Sequence, residues 1–493
     1  QGVRSSSRAV VGGCSPVRST SCEDLGTQST DLHIGAGRSE LVVPPPNRKY
    51  GDHMKTACVI GAGAAGLAAG KALADRDIDF DWFEKGSYVG GLWQIDNDNG
   101  GAAAYHSLHL NSSRPRTQYP SYPMPEDWSD YPPYYQVAQY FDDFADHFGL
   151  RERITFNTAV EKVEPVGDHW EVTTSDGTTR EYKNVLVANG HHSSPKIPQF
   201  EGEFTGESFH AHDYRDLSVF KGKRVLVIGV GNSGMDIACD AARNAEAVYL
   251  STRHGVHVIP KYALGKPVDQ LSSPLMAYVP FPVERLAYEA IVRIATGRPQ
   301  DRGLPKPDHR LLGAHPTVSA ELYDRVGHGD ITMKPDITRF DGEKVEFVDG
   351  TSEAVDIVVY ATGYNISLPF LEGVYTAEHN KMPLYLRIVP PDLPGLYFMG
   401  FIQTVGSGIP LTEYQAEWVG DLITGAVPMP SRAEMDKWIE HDQKEMAKRY
   451  LRSERHTMQV DYWRYIKTMK DARGQGRLSK VPLVNKIPVL GSR

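Results

Sequence analysis

From Lys55 to Glu84 the apolar residues keep one order: a short unbroken run, a turn, a helical stretch and a second short run. The stretch reads KTACVIGAGAAGLAAGKALADRDIDFDWFE. An apolar run of strand length that ends on glycine predicts a buried strand, and the alanine-rich segment behind it predicts a helix. The same order returns at Lys221–Arg253, KGKRVLVIGVGNSGMDIACDAARNAEAVYLSTR. Two more apolar runs, in Asn184–Gly190 and Asp356–Gly363, end in small-residue turns and predict strands that carry the chain between units at Gly190 and Gly363. VERLAYEAIVRIATG, residues 283–297, has helical spacing and predicts an amphipathic helix whose apolar face meets core or a second copy.

The glycines give both repeats a chemistry. Gly61 permits a tight turn, Gly63 lets backbone approach a pyrophosphate, and Gly66 lets helix and strand pack closely. The helix that follows offers free N–H groups to phosphate. Glu84, 23 residues after Gly61, ends the second strand where a carboxylate accepts from ribose hydroxyls. Just beyond it, Gly90 and Gly91 let backbone run against a ligand and Trp93 can cover an aromatic ring; the plain alternative is a glycine turn beside a core tryptophan.

In the second repeat Gly229, Gly231, Asn232, Ser233 and Gly234 form the loop. Its next strand ends in Ser251, Thr252 and Arg253 instead of an acid. A carboxylate there would repel a 2′-phosphate, whereas hydroxyls and a guanidinium fork bind one, so this site is expected to take NADPH. The two sites, 168 residues apart, predict an α/β chain with two dinucleotide-binding, Rossmann-like domains, one holding FAD and the other NADPH.

Composition removes several other classes. A chain of 493 residues with 40% hydrophobic and 23% charged residues is ordinary for a globular protein. A net charge of -9 without a basic block argues against nucleic acid as partner. No apolar run is long enough for a transmembrane segment. Four cysteines, none in a Cys-x-x-Cys pair, exclude a disulfide reductase and a disulfide scaffold, and make Cys58 and Cys239 reduced core thiols in a cytoplasmic setting. No metal set is visible. Residues 1–53, rich in Ser, Gly, Arg and Pro, read as a disordered leader or a tail added by cloning, with Met54 as the working start.

One further pattern is more specific than the glycine loops. Phe204-x-Gly206-x3-His210-x3-Tyr214-Arg215 resembles the fingerprint of the flavin-containing monooxygenases, class B flavoprotein monooxygenases. SLHLNSSRPRTQYPSYPMP (107–125), ATGY (361–364) and SERHTMQVDYWRYI (453–466) resemble the same family, which covers the chain from about Met54 to about Lys470.

The resemblance implies that the fingerprint links the FAD and NADPH domains: Phe204 and Tyr214 anchor it, Gly206 bends it, and His210 satisfies a buried polar group. It implies that Asn111 points at flavin and nicotinamide and is the residue closest to catalysis. It also implies that Gly395–Ile423 closes over FAD, with a strand ending at Gly400, Gln403 in contact, and a helix starting near Pro410.

The implied activity is NADPH- and O2-dependent oxygenation of soft nucleophiles, amine nitrogen or sulfide sulfur, through a C4a-hydroperoxyflavin. A Baeyer–Villiger monooxygenase acting on ketones is the nearest alternative, ranked second because Tyr214 stands where its fingerprint carries tryptophan. A non-catalytic flavoprotein sensing NADPH or redox state is the alternative of another class. The expected boundaries are FAD domain 54–215, NADPH domain 216–345, and the rest of the FAD domain with C-terminal helices at 346–493; a homodimer is compatible with this layout.

Overall fold

The computed structural model describes residues 49–50, 54–319, 321–450 and 457–475. Apart from Lys49 and Tyr50, the leader expected at 1–53 lies outside the described residues. Those two are strand rather than disordered chain: they pair in parallel with Thr178 and Thr179, which offer ladder groups on that side.

The first sheet is built on the long strand Thr178–Val187. Its second half pairs in parallel with Lys55–Ile60 and Leu396–Phe398, and Lys55–Ile60 pairs in turn with Phe80–Phe83. Its first half joins the antiparallel hairpin of Val160–Val166 and His169–Thr174. Val185, Leu186 and Val187 are buried on both faces, as expected of a strand inside a covered parallel sheet.

The second sheet is wholly parallel. Its order is Thr332–Lys334, Ala247–Ser251, Arg224–Ile228, Ile357–Tyr360, Glu207–His210. All five strands fall between Val187 and Leu396, neighbours in the first sheet, so the second dinucleotide fold is inserted into the first. A smaller sheet, Glu201–Phe204, Ile337–Gly342, Lys344–Phe347 and Ser352–Ala354, accompanies it.

The chain leaves and re-enters the first fold side by side. Ser194–Pro195 pairs antiparallel with Tyr364–Asn365, and the Lys196 N–H donates to the Gly363 carbonyl at 2.9 Å. Gly190 and Gly363 take φ of +78° and +86°, where a side chain is disfavoured, which places both expected crossing glycines at turns.

Packing fixes the first glycine loop from below. Trp82 is fully buried, and its indole N–H donates to the Gly61 carbonyl at 2.9 Å. A Cβ on Gly70 would stand 2.1 Å from that ring, so the helix Ala64–Ala74 rests directly on it. The helix Tyr134–His147 adds buried Tyr140, Phe141 and Phe144, and the Tyr119 hydroxyl donates to the Ala64 carbonyl at 2.6 Å.

The helix 281–296 forms as its spacing predicts, and its apolar face is only partly covered. Of its residues only Val292 and Thr296 are buried, while Val283, Leu286 and Ile294 are exposed, so part of its apolar stripe stays outside the core. The covered part, Phe281, Tyr288, Ile291 and Val292, packs on a small cluster with Ile259, Ala263 and Leu311. No helix among the described residues is long and apolar enough to cross a membrane.

Candidate active site between two glycine loops

Both glycine loops have the geometry their spacing predicts. Gly61 sits at φ +98°, and a Cβ there would lie 2.7 Å from the Ala188 carbonyl oxygen. Gly229 sits at φ +108° with the Ala361 oxygen at 2.5 Å. A Cβ on Gly66 or Gly234 would strike the loop's own first carbonyl at about 2 Å. Gly63 and Gly91 face each other so closely that a Cβ on Gly91 would lie 3.1 Å from the Gly63 Cα. A Cβ on Gly63 would meet Gly91 at an ordinary 3.6 Å, so the crowding falls on Gly91, and bare backbone on both sides makes a cradle of the kind that suits a pyrophosphate.

The helices Ala64–Ala74 and Asn232–Ala241 begin at Gly63 and Gly231 with no side-chain cap and no acid in the first turn. Their leading N–H groups are thus left for an anion, which fits the phosphates of FAD and NADPH.

Glu84 is 4% exposed and fully engaged. Its Oε2 accepts the Ala62 N–H at 2.6 Å, and its Oε1 accepts the Gly86 N–H and the Asn99 amide, each at 2.9 Å. The acid therefore ties both ends of the first site together as well as ending the strand. Trp93 is half-buried in the short turn Gly91–Trp93 and packs on the main core.

At the second site Asn232 Oδ1 accepts the Val318 N–H at 2.9 Å, and Thr317 donates to the Val230 carbonyl at 2.7 Å. These bonds hold the segment 317–318 over the loop that includes Ser233. The three residues expected to read a 2′-phosphate divide. The Ser251 hydroxyl is buried and donates to the Pro335 carbonyl at 2.7 Å, and the Thr252 hydroxyl is taken up by His254. Arg253 is exposed and makes no ion pair among the described residues, so of the three it is the one whose polar group is left unengaged.

The fingerprint is a structural seam. Phe204 packs on Phe340 with ring centroids 5.5 Å apart, and a Cβ on Gly206 would lie 2.6 Å from the Phe204 ring. His210, 2% exposed, accepts the His212 N–H on Nδ1 at 3.0 Å; burial holds its pKa below the usual histidine value. Tyr214 stacks on Phe220 at 5.4 Å, and its hydroxyl donates to Asp240 at 2.9 Å. Arg215 donates to the carbonyls of His212, Tyr214 and Ala102, sewing the seam to the chain that leads to Asn111.

Asn111 is half-buried, and its carboxamide has no hydrogen-bond partner among the described residues. Its backbone is held on both sides. Leu110 N–H donates to the Pro132 carbonyl at 3.0 Å, and Ser113 N–H donates to Asp269 Oδ2 at 2.6 Å. Gln270 reaches the Ser113 hydroxyl at 3.1 Å. Asp269 and Gln270 were missed by sequence reasoning: they lie 156 and 157 residues from Ser113 in an irregular stretch with no periodic signal.

The closing segment forms nearly as expected. Its strand ends at Phe398 rather than Gly400, because Gly400 turns at φ +79° against Ala65, and the helix Ile409–Ile423 starts beside Pro410. This helix lies alongside Ala64–Ala74. Gly400 meets Ala65 and Thr412 near their starts, and Arg76 pairs with Glu417 and Asp421 at 2.8 and 2.7 Å near their ends. Two helix N-termini therefore open at one end of the first sheet. Gln403 pairs through its backbone with the strand Gln459–Val460, leaving its carboxamide unbonded among the described residues.

Two other features stand apart from the loops. A cavity of about 270 Å³ lies under the helix 281–296, lined by His257, Val292, Thr296, Lys306 and Tyr323, and no sequence-predicted site residue lines it. His169, Glu171 and Glu181 bring ligand atoms within 4.8 Å of one another on the surface hairpin, a grouping that exposed acidic strands commonly form without an ion.

Paired dinucleotide folds, one inserted in the other and joined by a buried seam, define a two-cofactor flavoprotein. The chain belongs to the flavin-binding monooxygenase-like family, whose sequence pattern matches residues 54–478. It is 36% identical over 442 residues to flavin-containing monooxygenase 5 of Oryctolagus cuniculus, covering 85% of this chain and 82% of that one. The structure resembles the S-allyl-L-cysteine S-oxygenase of Allium sativum, with TM-score 0.64 and 24% identity over 86% of this chain and 89% of the other. It also resembles an oxidized steroid monooxygenase bound to NADP, with TM-score 0.62 and 20% identity over 85% and 97% of the two chains. At these identities the structural likenesses establish the fold. The family membership makes this an FAD-containing, NADPH-dependent monooxygenase that oxygenates nitrogen and sulfur nucleophiles.

Proposed function

We propose that Asn111 is the protein group that works at the reacting centre, between an FAD held by the first loop and an NADPH held by the second. The observation carrying this is an unengaged carboxamide on a backbone fixed from both sides, in a chain whose two glycine loops are complete. A carboxamide both donates and accepts, so it can hold the nicotinamide amide and a flavin edge in register.

When bound, the flavin supplies hydride acceptance from NADPH and activation of O2. The protein's part is to bind, orient and keep water out. Gly61, Gly63, Gly66, Gly91 and the helix start at Ala64 hold one pyrophosphate, with Glu84 fixing the loop. Gly229, Gly231, Ser233, Gly234 and the helix start at Asn232 hold the other, with Arg253 on the 2′-phosphate. Gln403 and Trp93 complete the flavin side. No acid–base dyad is required of the chain.

The same reading draws the NADPH domain around residues 216–345 and the FAD domain on either side. The second sheet's first and last strands in the chain, Glu207–His210 and Ile357–Tyr360, support widening the inserted part to include them. A cytoplasmic setting is supported by the buried free thiols Cys58 and Cys239. A homodimer remains part of the proposal, to be read from the solution mass of the full chain.

The test is NADPH oxidation by the flavin-loaded chain with tertiary amines, thioethers and a cyclic ketone, measuring product and peroxide together. Wild-type protein is expected to deliver oxygen to amine or thioether, and Asn111→Ala to divert about tenfold more of the NADPH into peroxide. Unchanged partition in Asn111→Ala removes that residue from the mechanism, and turnover on the ketone alone replaces the substrate class.

A further inference from the structure

The helix Asn232–Ala241, which starts at the second glycine loop, carries two carboxylates one turn apart, Asp236 and Asp240. Residues four apart share one face of a helix. Both point at the strap that runs into Asn111. The Tyr105 hydroxyl donates to Asp236 Oδ2 at 2.8 Å, and the Ser107 hydroxyl donates to Asp240 Oδ2. Tyr105 and Ser107 are themselves two apart, so the strap meets the helix as two rungs.

The rungs are locked from behind. Asp240 is 2% exposed; its Oδ2 also accepts the Tyr214 hydroxyl at 2.9 Å, and its Oδ1 accepts from Arg243 at 2.7 Å. The Tyr105 and Tyr214 rings pack with centroids 5.5 Å apart. His106 N–H donates to the Arg215 carbonyl at 2.9 Å, and Tyr134 N–H to the Leu108 carbonyl at 2.9 Å. From Tyr105 to Asn111 the strap is therefore fastened at several points, and its polar side chains reach a helix of the other domain.

We propose that Asp236 and Asp240 are positioning residues that set Asn111 against the nicotinamide, using the NADPH-domain helix as a common reference. The inference rests on the reading of Asn111 given above and adds to it a second role for that helix. Its N-terminal end receives the dinucleotide, and its flank holds the strap, so one rigid element places both partners of the contact. Among the described residues their hydrogen-bond partners are Tyr105, Ser107, Tyr214 and Arg243, none of them in a glycine loop. Losing a rung leaves hydride donor and flavin bound but lets Asn111 drift, and a small misplacement of a positioned group is expensive in rate.

The experiment uses the flavin-loaded full chain and reads the fraction of consumed NADPH that appears as peroxide. Tyr105→Phe removes one hydroxyl and keeps the ring; Ser107→Ala removes the other. Each is expected to raise the peroxide fraction about fivefold, the ratio one hydrogen bond is worth, with KM for NADPH little changed. Asp236→Asn weakens the same rung but keeps an oxygen acceptor for Tyr105, so its peroxide fraction is expected between those of wild type and Tyr105→Phe.

Coupling to Asn111 separates positioning from simple loosening of the fold. In an Asn111→Ala background, Tyr105→Phe is expected to add no further peroxide, since nothing is left to position. An additive effect there, or an unchanged peroxide fraction in both single variants, overturns the inference while leaving the role of Asn111 standing. A wild-type chain with no NADPH-dependent oxygen uptake overturns the functional reading and the inference with it.

Discussion

The Glu84 carboxylate accepts the Ala62 N–H at 2.6 Å, joining the end of the second strand to the middle of the first glycine loop. The same group holds Gly86 and Asn99, so one buried acid keeps three donors satisfied. Glu84→Ala is expected to leave these donors without a partner and to cost about 3 kcal/mol locally. Flavin absorbance retained after desalting should fall well below wild type, while intact retention would show that the loop does not need the acid.

Arg253 is the exposed cation at the end of the second strand of the inserted sheet, beyond the buried Ser251. Arg253→Ala is expected to raise KM for NADPH about tenfold and leave KM for NADH unchanged, because only the 2′-phosphate is lost as a contact. Equal changes for both nucleotides would place the phosphate elsewhere.

The two first glycines separate the cofactors. Gly61→Ala drives a Cβ toward the Ala188 carbonyl and should yield protein that does not retain flavin. Gly229→Ala does the same against Ala361 and should yield yellow protein that no longer oxidises NADPH. Gly363→Ala meets nothing within 4 Å and is expected to lose only about 1 kcal/mol to its positive φ.

Asp236 titrates abnormally. Burial raises its pKa to about 6, against the Tyr105 bond and Lys261, with Asp240 and Glu321 adding to the rise. A carboxyl raised in the fold is favoured there in its protonated form. Its stabilising contribution is complete below about pH 4, is lost as pH passes 6, and amounts to at most ~3 kcal/mol. Asp236→Asn should therefore flatten the fall in melting temperature between pH 4 and 7. Parallel curves for the two proteins would place the titration elsewhere.

Much of this was readable from local chemistry. Gly61 and Gly229 stand where only glycine tolerates the backbone, and the absence of an acid after Leu250 marked the second nucleotide. What escaped was long-range pairing between polar residues. Asp236 and Asp240 are spaced as one helical face, and Tyr105 and Ser107 alternate ahead of Asn111. That spacing was visible, but it names no partner more than 130 residues away. Ser251 and Thr252 are ambiguous for a related reason: a hydroxyl at a strand end can serve a ligand or a neighbouring carbonyl, and composition is the same in both cases. The helix 281–296 has the spacing of a buried element and keeps half its stripe outside, because periodicity reports a helix and not what covers it.

The paired crossings at Ser194–Pro195 and Tyr364–Asn365 mean that the inserted domain enters and leaves through one doorway, with its two chain ends about 5 Å apart. A module tethered this way behaves as a cassette. Exchange with that of another family member would not rethread the sheet it interrupts, but would have to carry across the bonds that Tyr105, Ser107 and Ser113 make to Asp236, Asp240 and Asp269. Chimeras cut at this doorway would carry nucleotide preference from one parent and the flavin bed from the other.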